Sequence, residues 1–328
     1  MGLCGTGVFS LEVVVRRILY ALSSLFRRIP KHVLQMTFGW YKKWNTLVLK
    51  CGPIPRHVAF IMDGNRRYAR RHNQDTWAGH TMGGETLRET LLLCQELGIS
   101  DITVFAFSIE NFKRATEEVD MLMRITSEKL SELLVQDKHN KVFDTGYRIR
   151  VLGNLHLLPI DIQQHIHKLE KLTRNRKSGC LSICFSYTST DEITSAIRSI
   201  VEGIEAKKIE ERDINLDLLD RCMYTAGSCE PNLIIRTSGE IRFSDFMLWQ
   251  CSSSYFAVLD VLWPEFTARH LYNTLFAYQE HHKEQLKLRA KLDRRKYVDL
   301  ARADSQVEFF NQREELRRRV FVDMSIDV

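Results

Sequence analysis

The chain has 328 residues, of which 44% are hydrophobic and 27% are charged, and its formal net charge is +6 at pH 7. This is the composition of a globular protein with room for one large core or two modest ones. The surplus of positive charge suits anionic ligands or a membrane surface, but it is too small for the dense basic stripe of a nucleic-acid-binding protein. The eight cysteines form no Cys-x-x-Cys pair, which argues against a disulfide framework or a zinc site and indicates a reduced, cytosol-facing protein.

Residues 1–51 differ from the rest of the chain and are predicted to form an amphipathic, membrane-associating segment. Residues 8–26 are largely apolar, but Glu12, Arg16 and Arg17 interrupt them, and charges there would make a bilayer crossing costly. Read as a helix, the stretch has an apolar face and a basic face, which is typical of a helix lying on a membrane surface. Gly2 also matches the N-myristoylation pattern, with Cys4 available for palmitoylation, and an unmodified terminus is the alternative.

Beyond this segment, apolar runs alternate with helical patterns. Strands are predicted at 57–62, 102–107, 147–152, 180–187, 232–236 and 255–262. Helices are predicted at 82–97, 117–136, 159–175, 190–208 and 214–223. The alternation is typical of an α/β fold, with a mostly parallel central sheet of about six strands flanked by helices. We expect one domain over 52–280 and a charged helical extension over 281–328, either solvated or used for docking.

The tails of three predicted strands carry charged and polar side chains. The first strand ends at Asp63, in a tight turn where the next residue, a glycine, lets the backbone approach a ligand. The second strand is followed by the polar and basic residues of 108–114, and the fifth by those of 236–245. Ligands gather at the carboxyl ends of parallel strands, arginine forks bind phosphate oxygens in pairs, and a metal ion neutralises the remaining charge. The sequence therefore predicts a site that holds a phosphate group and a metal ion together.

Other kinds of site lack their motifs. The chain contains no P-loop sequence, no Gly-x-Gly-x-x-Gly and no candidate nucleophile elbow. His57, His72 and His80 have a spacing that suits no metal cage, so a structural or ligand-contacting role is the default for each. The helical stretches 87–97 and 119–135 are rich in flexible apolar side chains, and core packing and a lining for an apolar ligand remain alternatives for them.

Five segments of the chain, in the family's order, resemble the motifs of the cis-prenyltransferases, the undecaprenyl diphosphate synthase-like family. They are His-Val-Ala-Phe-Ile-Met-Asp-Gly-Asn-Arg-Arg at 57–67, Phe-Ala-Phe-Ser-Ile-Glu-Asn-Phe-Lys-Arg at 105–114, Tyr-Thr-Ser-Thr-Asp-Glu at 187–192, Arg-Thr-Ser-Gly-Glu-Ile-Arg-Phe-Ser-Asp-Phe-Met-Leu-Trp-Gln at 236–250 and Val-Leu-Trp-Pro-Glu at 261–265. The resemblance covers about 53–280, and it implies a catalytic α/β domain that encloses a hydrophobic tunnel. It also implies addition of isopentenyl diphosphate units to farnesyl diphosphate, with cis double bonds and with Mg²⁺ as cofactor. The product would be a long-chain polyprenyl diphosphate for dolichol synthesis and protein glycosylation, made peripherally on the cytosolic face of the endoplasmic reticulum membrane or on lipid droplets.

The resemblance further implies roles for individual residues. Asp63 would hold the Mg²⁺ and assist departure of the allylic diphosphate. The residues that would bind this diphosphate are Gly64, Asn65, Arg66, Arg67, His80 and Arg114. The residues that would bind isopentenyl diphosphate are Arg236, Arg242 and Ser244. Ser108 and Asn111 match the pair proposed to help remove a proton from it, so that with Asp63 they form the expected catalytic set.

The chain departs from the pattern of the bacterial homodimeric members. Ile241 and Tyr255 stand where those enzymes have a histidine and a glutamate that help to bind metal, and Thr76 stands where they have an arginine. Asp63 is then the main protein ligand expected for the metal. Members that act alone end in an Arg-x-Gly motif, which occurs nowhere in this chain. The resemblance therefore implies a heteromer in which an accessory subunit of the Nogo-B-receptor type supplies Arg-x-Gly.

Two alternatives to a chain-elongating enzyme are left open by the sequence. One is a non-catalytic scaffold subunit of the same complex, which would have no need of the intact Asp63 and phosphate-binding arginines. The other is a peripheral membrane-binding module that acts through residues 1–51 and the basic C-terminal tail. The membrane module leaves the arginines at the strand ends unexplained.

Overall fold

The computed structural model describes residues 31–136, 146–292 and 309–310. The chain divides into two compact units, Met1–Cys51 and Gly52–Val328. In the first unit the described part is a single helix, α1 (Lys31–Lys50). The helix predicted over 8–26, the lipidation of Gly2 and Cys4, and most of the predicted extension beyond 292 lie outside the described residues.

One six-stranded sheet forms the centre of the second unit, and every pair of neighbouring strands is parallel. The strands are β1 (His57–Ile61), β2 (Asp101–Ser108), β3 (Tyr147–Leu152), β4 (Gly179–Tyr187), β5 (Leu233–Arg236) and β6 (Tyr255–Val258). Their order across the sheet is β3-β4-β2-β1-β5-β6. Strand β1 is buried along its whole length, as expected for a central strand covered on both faces, and for this reason its sequence is a continuous apolar run. The predicted α/β fold with a parallel sheet is confirmed.

Helices connect successive strands from β1 to β5, and a further helix follows β6. They are α2 (Asn65–Arg71), α3 (Thr76–Leu97), α4 (Thr116–Gln136), α5 (Ile160–Thr173), α6 (Ser189–Glu205), α7 (Leu216–Cys222) and α8 (Ala268–Lys291). Short 3₁₀ turns occur at Ile109–Lys113, Leu155–Leu157, Glu211–Asp213 and Trp263–Glu265. The five helices predicted between residues 82 and 223 are present. Helix α8 begins before residue 281, the predicted start of the charged extension, which therefore lies inside this helix.

Two element boundaries differ from the prediction by four residues or more. Helix α3 begins at Thr76 rather than at residue 82, because its first turns contain glycines and polar residues that give no apolar periodicity. Strand β6 ends at Val258 rather than at residue 262. Beyond Val258 the chain still forms hydrogen bonds with the segment after β5, such as Ser238 N to Val261 O at 2.7 Å, but these do not continue the regular strand pairing.

The apolar stretches 87–97 and 119–135 were predicted either to pack in the core or to line a site for an apolar ligand. The structure shows core packing for part of each stretch. In α4, Met123 and Leu130 pack in a buried cluster with Phe107 of β2 and Ile149 of β3. The cluster also has half-buried members, which are Phe112, Val119, Leu122, Leu133, Leu134, Leu155 and Ile183. In α3, the side chains of Leu91, Leu93, Cys94 and Leu97 are buried.

The described cysteines are free thiols. Burial raises the pKa of Cys94 to about 12, so this thiol is an inert core residue rather than a nucleophile. No helix in the described ranges is long and apolar enough to cross a bilayer.

Candidate active site at the carboxyl edge of the sheet

The turn after β1 is held in place by the neighbouring strand ends. Gly64 adopts φ +109°, and a Cβ atom there would lie 2.9 Å from a side-chain carbon of Leu262, so the turn requires glycine. Thr237 Oγ1 accepts from Asp63 N at 3.0 Å and donates to Asp63 O at 2.7 Å. Trp263 N also donates to Asp63 O, at 3.0 Å. The backbone of Asp63 is therefore fixed by these three hydrogen bonds, which orients its carboxylate.

An ion pair joins β1 to β5 at this edge of the sheet. Arg236 Nη2 donates to Asp63 Oδ2 at 2.8 Å, and the arginine side chain is 3% exposed whereas the aspartate is 31% exposed. Arg236 Nη1 donates to Ser244 Oγ at 2.8 Å and to the backbone oxygen of Arg242. Arg236 Nε is buried and has no hydrogen-bond partner among the described residues. Arg236 thus draws the loop after β5 toward Asp63.

A second group of charges lies beside this pair. Arg67 Nη2 is 3.9 Å from Asp63 Oδ1 and 3.5 Å from Glu240 Oε1. The other oxygen of Glu240 is paired with Arg242 Nη1. Glu240 therefore lies between an arginine of α2 and an arginine of the loop after β5.

A third group joins α2 to the turn after β2. Arg114 Nη1 donates to Glu118 Oε1 at 2.8 Å, and Arg66 Nη1 is 3.6 Å from the same oxygen. Burial and then the charge of Arg66 lower the pKa of Arg114, while Glu118 raises it. Burial lowers the pKa of His80, and Arg114 lowers it further, so the imidazole is neutral at neutral pH.

Helix α3 packs closely on the start of α2. A Cβ atom at Gly79 would lie 2.3 Å from the backbone oxygen of Asn65, and one at Gly83 would lie 2.6 Å from its side-chain oxygen. The Asn65 Oδ1 and His80 Nε2 atoms are buried and have no hydrogen-bond partner in the described part of the chain. Buried polar atoms of this kind are rare in native proteins, and at a site they indicate a ligand or water.

Ser108 and Asn111 are held in a reciprocal cap at the start of the 3₁₀ turn after β2. Ser108 Oγ accepts from Glu110 N at 3.2 Å, and Asn111 Oδ1 accepts from Ser108 N at 3.0 Å. Both side chains are therefore oriented by the backbone of the turn that leads to Arg114.

The loop after β5 is strained, and it is anchored to α6. Ser244, Asp245 and Met247 have φ of 53°, 57° and 48°, in the left-handed region that non-glycine residues seldom adopt. Ser189 N donates to Asp245 O at 2.7 Å, and Leu248 N donates to Ser189 Oγ at 2.8 Å. The conformation of Ser244 is thus imposed by its surroundings, as is common in ligand-binding loops.

A fully buried carboxylate, Glu192 of α6, supports the end of this loop. It accepts hydrogen bonds from Tyr187 OH at 2.5 Å, from Thr225 N at 2.9 Å, from Thr225 Oγ1 at 2.8 Å and from Gln250 Nε2 at 3.0 Å. These donors are neutral groups on β4, on the segment before β5 and on the segment after Ser244. Glu192 therefore ties the loop that carries Ser244 to the sheet.

The structure places every residue of the predicted site on β1, β2 or β5 tails or on the facing turn of α3, and these three strands are neighbours in the sheet. Sequence reasoning did not identify Thr237, Glu118, Glu240 or Glu192. Glu118 stands four residues after Arg114, the spacing of a helical ion pair, and this signal could have identified it. Thr237, Glu240 and Glu192 stand inside the segments that resemble the family's motifs, but their contacts became visible only in the structure.

The site can hold highly charged anions. Its arginines outnumber its carboxylates, and the guanidinium groups come from two directions, with Arg66 and Arg114 on one side of Asp63 and Arg236 and Arg242 on the other. Guanidinium forks match phosphate oxygens, and the orphaned atoms of Asn65 and His80 add further polar contacts. The arrangement therefore suits phosphate groups, which carry several oxygens for guanidinium groups to bind.

Comparison with known proteins gives a consistent result. Residues 61–285 match the family model described as "Putative undecaprenyl diphosphate synthase". The chain is 46% identical over 235 residues to the human dehydrodolichyl diphosphate synthase complex subunit DHDDS, and the matched region covers 72% of this chain and 70% of the relative. It is 39% identical over 242 residues to a tritrans,polycis-undecaprenyl-diphosphate synthase (geranylgeranyl-diphosphate specific) of Pyrococcus horikoshii, covering 74% of this chain and 90% of the relative.

Two solved structures share the fold. The first is a lavandulyl diphosphate synthase from Lavandula x intermedia in complex with dimethylallyl diphosphate, with a TM-score of 0.64, 28% identity, and coverage of 69% of this chain and 95% of that chain. The second is a probable undecaprenyl diphosphate synthase from Campylobacter jejuni, with a TM-score of 0.56, 27% identity and the same coverage of 69% and 95%.

Proposed function

Because this chain belongs to the undecaprenyl diphosphate synthase family of prenyltransferases, we propose that it condenses isopentenyl diphosphate units onto farnesyl diphosphate. The product is a long-chain polyprenyl (dehydrodolichyl) diphosphate for dolichol synthesis and protein glycosylation. The observation that carries the proposal is the pairing of Asp63 with the buried Arg236 between two sets of arginines. A non-catalytic scaffold would have no use for this arrangement.

The two diphosphates occupy opposite sides of Asp63. Gly64, Asn65, Arg66, Arg67, His80 and Arg114 form the allylic subsite, and Arg236, Arg242 and Ser244 form the isopentenyl diphosphate subsite. The allylic carbon–oxygen bond breaks with its electron pair on the departing pyrophosphate, and the new carbon–carbon bond forms to the isopentenyl double bond. The arginines stabilise the charge that develops on the leaving group, and electrostatic stabilisation of this kind usually contributes more to catalysis than any other single effect.

Proton removal from the isopentenyl unit completes each addition. Ser108 and Asn111 lie at the end of β2, beside β1, and their side chains are oriented by the capped turn. Ser108 Oγ accepts from a backbone N–H, so its own O–H can donate to an oxygen of the diphosphate. As the proton of the isopentenyl unit passes to Ser108 Oγ, the hydroxyl proton would pass to that diphosphate oxygen, which leaves the serine neutral. This is the proposed role of Ser108 and Asn111, so substitution of either residue should lower kcat rather than raise KM.

Mg²⁺ is the proposed cofactor, and the donor set fits it. No group of three or more histidine, cysteine, aspartate or glutamate side chains among the described residues could hold a metal ion alone. Mg²⁺ is commonly bound by one or two carboxylates together with substrate phosphates and water, so a single carboxylate is sufficient. Asp63 would hold it, through the oxygen that is 3.9 Å from Arg67 rather than the one paired with Arg236. When bound, the ion supplies positive charge to the leaving diphosphate.

The growing chain is proposed to occupy a hydrophobic tunnel lined by the sheet and by the apolar stretches 87–97 of α3 and 119–135 of α4. The half-buried apolar side chains around the cluster of Phe107, Met123 and Phe185 support this placement. Flexible apolar side chains that are not fully enclosed can move aside for a prenyl chain.

Residues 52–280 are proposed as the catalytic domain of one subunit of a heteromer. The relatives from human, mouse and Schizosaccharomyces pombe are all named as subunits of a dehydrodolichyl diphosphate synthase complex, which supports a partner. The proposed partner is an accessory subunit of the Nogo-B-receptor type, which would bring an Arg-x-Gly motif to the isopentenyl diphosphate subsite.

The N-terminal unit is proposed to hold the enzyme on the cytosolic face of the endoplasmic reticulum membrane or on lipid droplets. In α1, Trp40 and Trp44 are 67% and 54% exposed and stack with ring centroids 5.7 Å apart. Leu47 extends this exposed face, and α1 contains lysines but no acidic residue. Exposed tryptophans beside lysines are typical of a helix that lies in a membrane interface.

The test is incorporation of labelled isopentenyl diphosphate onto farnesyl diphosphate with Mg²⁺, by the chain alone and with a candidate partner. Asp63→Ala is assayed beside each. We expect activity only with the partner and loss of activity in Asp63→Ala. Partner-dependent activity that survives Asp63→Ala would move the chemistry to the other subunit and leave this chain a scaffold. Full activity of the chain alone would support the proposed reaction and contradict the need for a partner subunit.

A further inference from the structure

Glu118 links the two elements that would hold the allylic diphosphate. Its Oε1 atom accepts from Arg114 Nη1 at 2.8 Å and lies 3.6 Å from Arg66 Nη1. Arg66 belongs to α2, which follows β1, whereas Arg114 ends the turn that follows β2. A single carboxylate oxygen therefore lies where one oxygen of a diphosphate would bind both guanidinium groups.

The position of this carboxylate affects how strongly the subsite attracts an anion. Arg66 and Arg114 are close enough for the charge of one to lower the pKa of the other. Glu118 compensates one of these charges, occupies the Nη1 donor of Arg114 that a phosphate oxygen needs, and lies 3.6 Å from Arg66 Nη1. A bound diphosphate must displace the carboxylate from these donors, or share them with it while being repelled by it. In either case Glu118 weakens diphosphate binding.

Repeated chain elongation makes weak binding useful at this subsite. Each addition leaves pyrophosphate among the allylic arginines, and the diphosphate of the elongated chain must then take its place. An allylic subsite made of arginines alone would retain pyrophosphate, and product release would limit the rate. Because Glu118 is part of the chain, its carboxylate is available to compete for the arginines in every cycle.

We propose that Glu118 is a positioning residue that holds Arg66 and Arg114 in place and weakens their grip on pyrophosphate, so that the leaving group departs after each addition. The inference rests on the proposed function, because it assumes that these arginines bind the allylic diphosphate. It predicts that neutralising Glu118 strengthens binding, whereas the loss of an ordinary structural ion pair would weaken it.

The experiment uses the full chain, together with its partner subunit where activity requires one. Glu118→Gln removes the charge and keeps the shape of the side chain. Glu118→Asp keeps the charge, and Glu117→Gln removes an equal charge from the neighbouring, exposed position of α4. Binding of inorganic pyrophosphate in the presence of Mg²⁺ is measured by isothermal titration calorimetry, which does not depend on activity. The melting temperature, kcat and the KM of each substrate are measured in parallel.

In Glu118→Gln we expect the dissociation constant of pyrophosphate to fall by about tenfold, as for removal of one like charge near a partly solvated anion. The KM of farnesyl diphosphate should fall with it, the KM of isopentenyl diphosphate should stay unchanged, and kcat should fall because release is slower. Glu118→Asp and Glu117→Gln should both resemble the wild type. A dissociation constant that is unchanged or higher in Glu118→Gln would overturn the inference, and so would an equal effect in Glu117→Gln. If the wild type incorporates no isopentenyl diphosphate with any partner, the proposed function fails instead.

Discussion

Replacement of Glu192 by glutamine tests how firmly the loop carrying Ser244 is held. The Glu192 side chain is fully buried, and its two oxygens each accept two hydrogen bonds. One oxygen serves Tyr187 OH and the side-chain amide of Gln250, while the other serves the backbone N–H and the hydroxyl of Thr225. Glutamine has nearly the same volume, so Glu192→Gln changes the chemistry of the network and leaves the packing intact.

The expected loss of stability follows from these contacts. In Glu192→Gln one acceptor oxygen becomes an NH₂ group, so a pair of donors faces another donor whichever way the amide is turned. Hydrogen bonds to a charged acceptor contribute about 1.5–3 kcal/mol each, and a buried donor left without a partner costs about 1–3 kcal/mol. A hydroxyl of the pair can rotate and accept, which removes part of the cost. We therefore expect Glu192→Gln to lower the free energy of unfolding by about 3 kcal/mol.

Urea unfolding monitored by circular dichroism measures this change, and Glu202→Gln on an exposed part of the same helix is the matched control. The control should change the free energy of unfolding by less than about 0.5 kcal/mol. Because Gln250 follows the Ser244 loop, Glu192→Gln should also raise the KM of isopentenyl diphosphate more than that of farnesyl diphosphate. A change in stability no larger than that of Glu202→Gln would refute the reasoning, since the carboxylate could not then be supporting the network described.

Three further predictions concern other contacts. Gly79→Ala would place its Cβ 2.3 Å from the backbone oxygen of Asn65, so urea unfolding should show a loss of about 2 kcal/mol and the KM of farnesyl diphosphate should rise. Gly84→Ala on the same helix has open space around its Cβ, so it should be neutral or stabilising by up to about 1 kcal/mol. Equal changes in the free energy of unfolding at both glycines would contradict the close packing at Gly79. Arg236→Lys removes the fork that reaches Asp63 and the loop after β5, so kcat/KM for isopentenyl diphosphate should fall by about a hundredfold, and a fall below about threefold would count against the ion pair. Burial lowers the pKa of His57 below the ordinary 6.5, so the unfolded chain binds more protons than the folded one, and stability should fall as the pH drops below about 6.5. His57→Gln should reduce this loss of stability, measured by urea unfolding between about pH 7 and pH 5. An unchanged pH dependence in the variant would refute the assignment to His57.

The sequence was sufficient to predict the elements of the fold but not their order. Apolar runs and helical periods predict six strands and the helices between them, and parallel strands place all the tails at one edge. Periodicity does not say that β1 lies between β2 and β5, since that order depends on which helices pack on which face. The proximity of Asp63 to Arg236, which are 173 positions apart in the chain, therefore became certain only with the sheet order.

The charged residues of the candidate site were easier to predict than the residues that support them. Arginines and an aspartate after buried strands have few structural explanations, so their positions pointed to a phosphate-binding site. Little in the sequence around Glu240 and Glu118 distinguishes them from other surface glutamates. Only the structure shows that each lies between two arginines. The start of α3 was missed because Gly79 and Gly83 lower helix propensity, although both are required for the approach of Asn65.

The central claim is that two diphosphates lie on opposite sides of Asp63, and a structure of the enzyme with its substrates tests it most directly. The complex would contain farnesyl thiodiphosphate, which resists cleavage, with isopentenyl diphosphate and Mg²⁺. We expect the allylic diphosphate against Arg66 and Arg114, the isopentenyl diphosphate against Arg236, Arg242 and Ser244, and the metal on the carboxylate of Asp63. Diphosphates bound away from these arginines, or a metal held without Asp63, would contradict this arrangement.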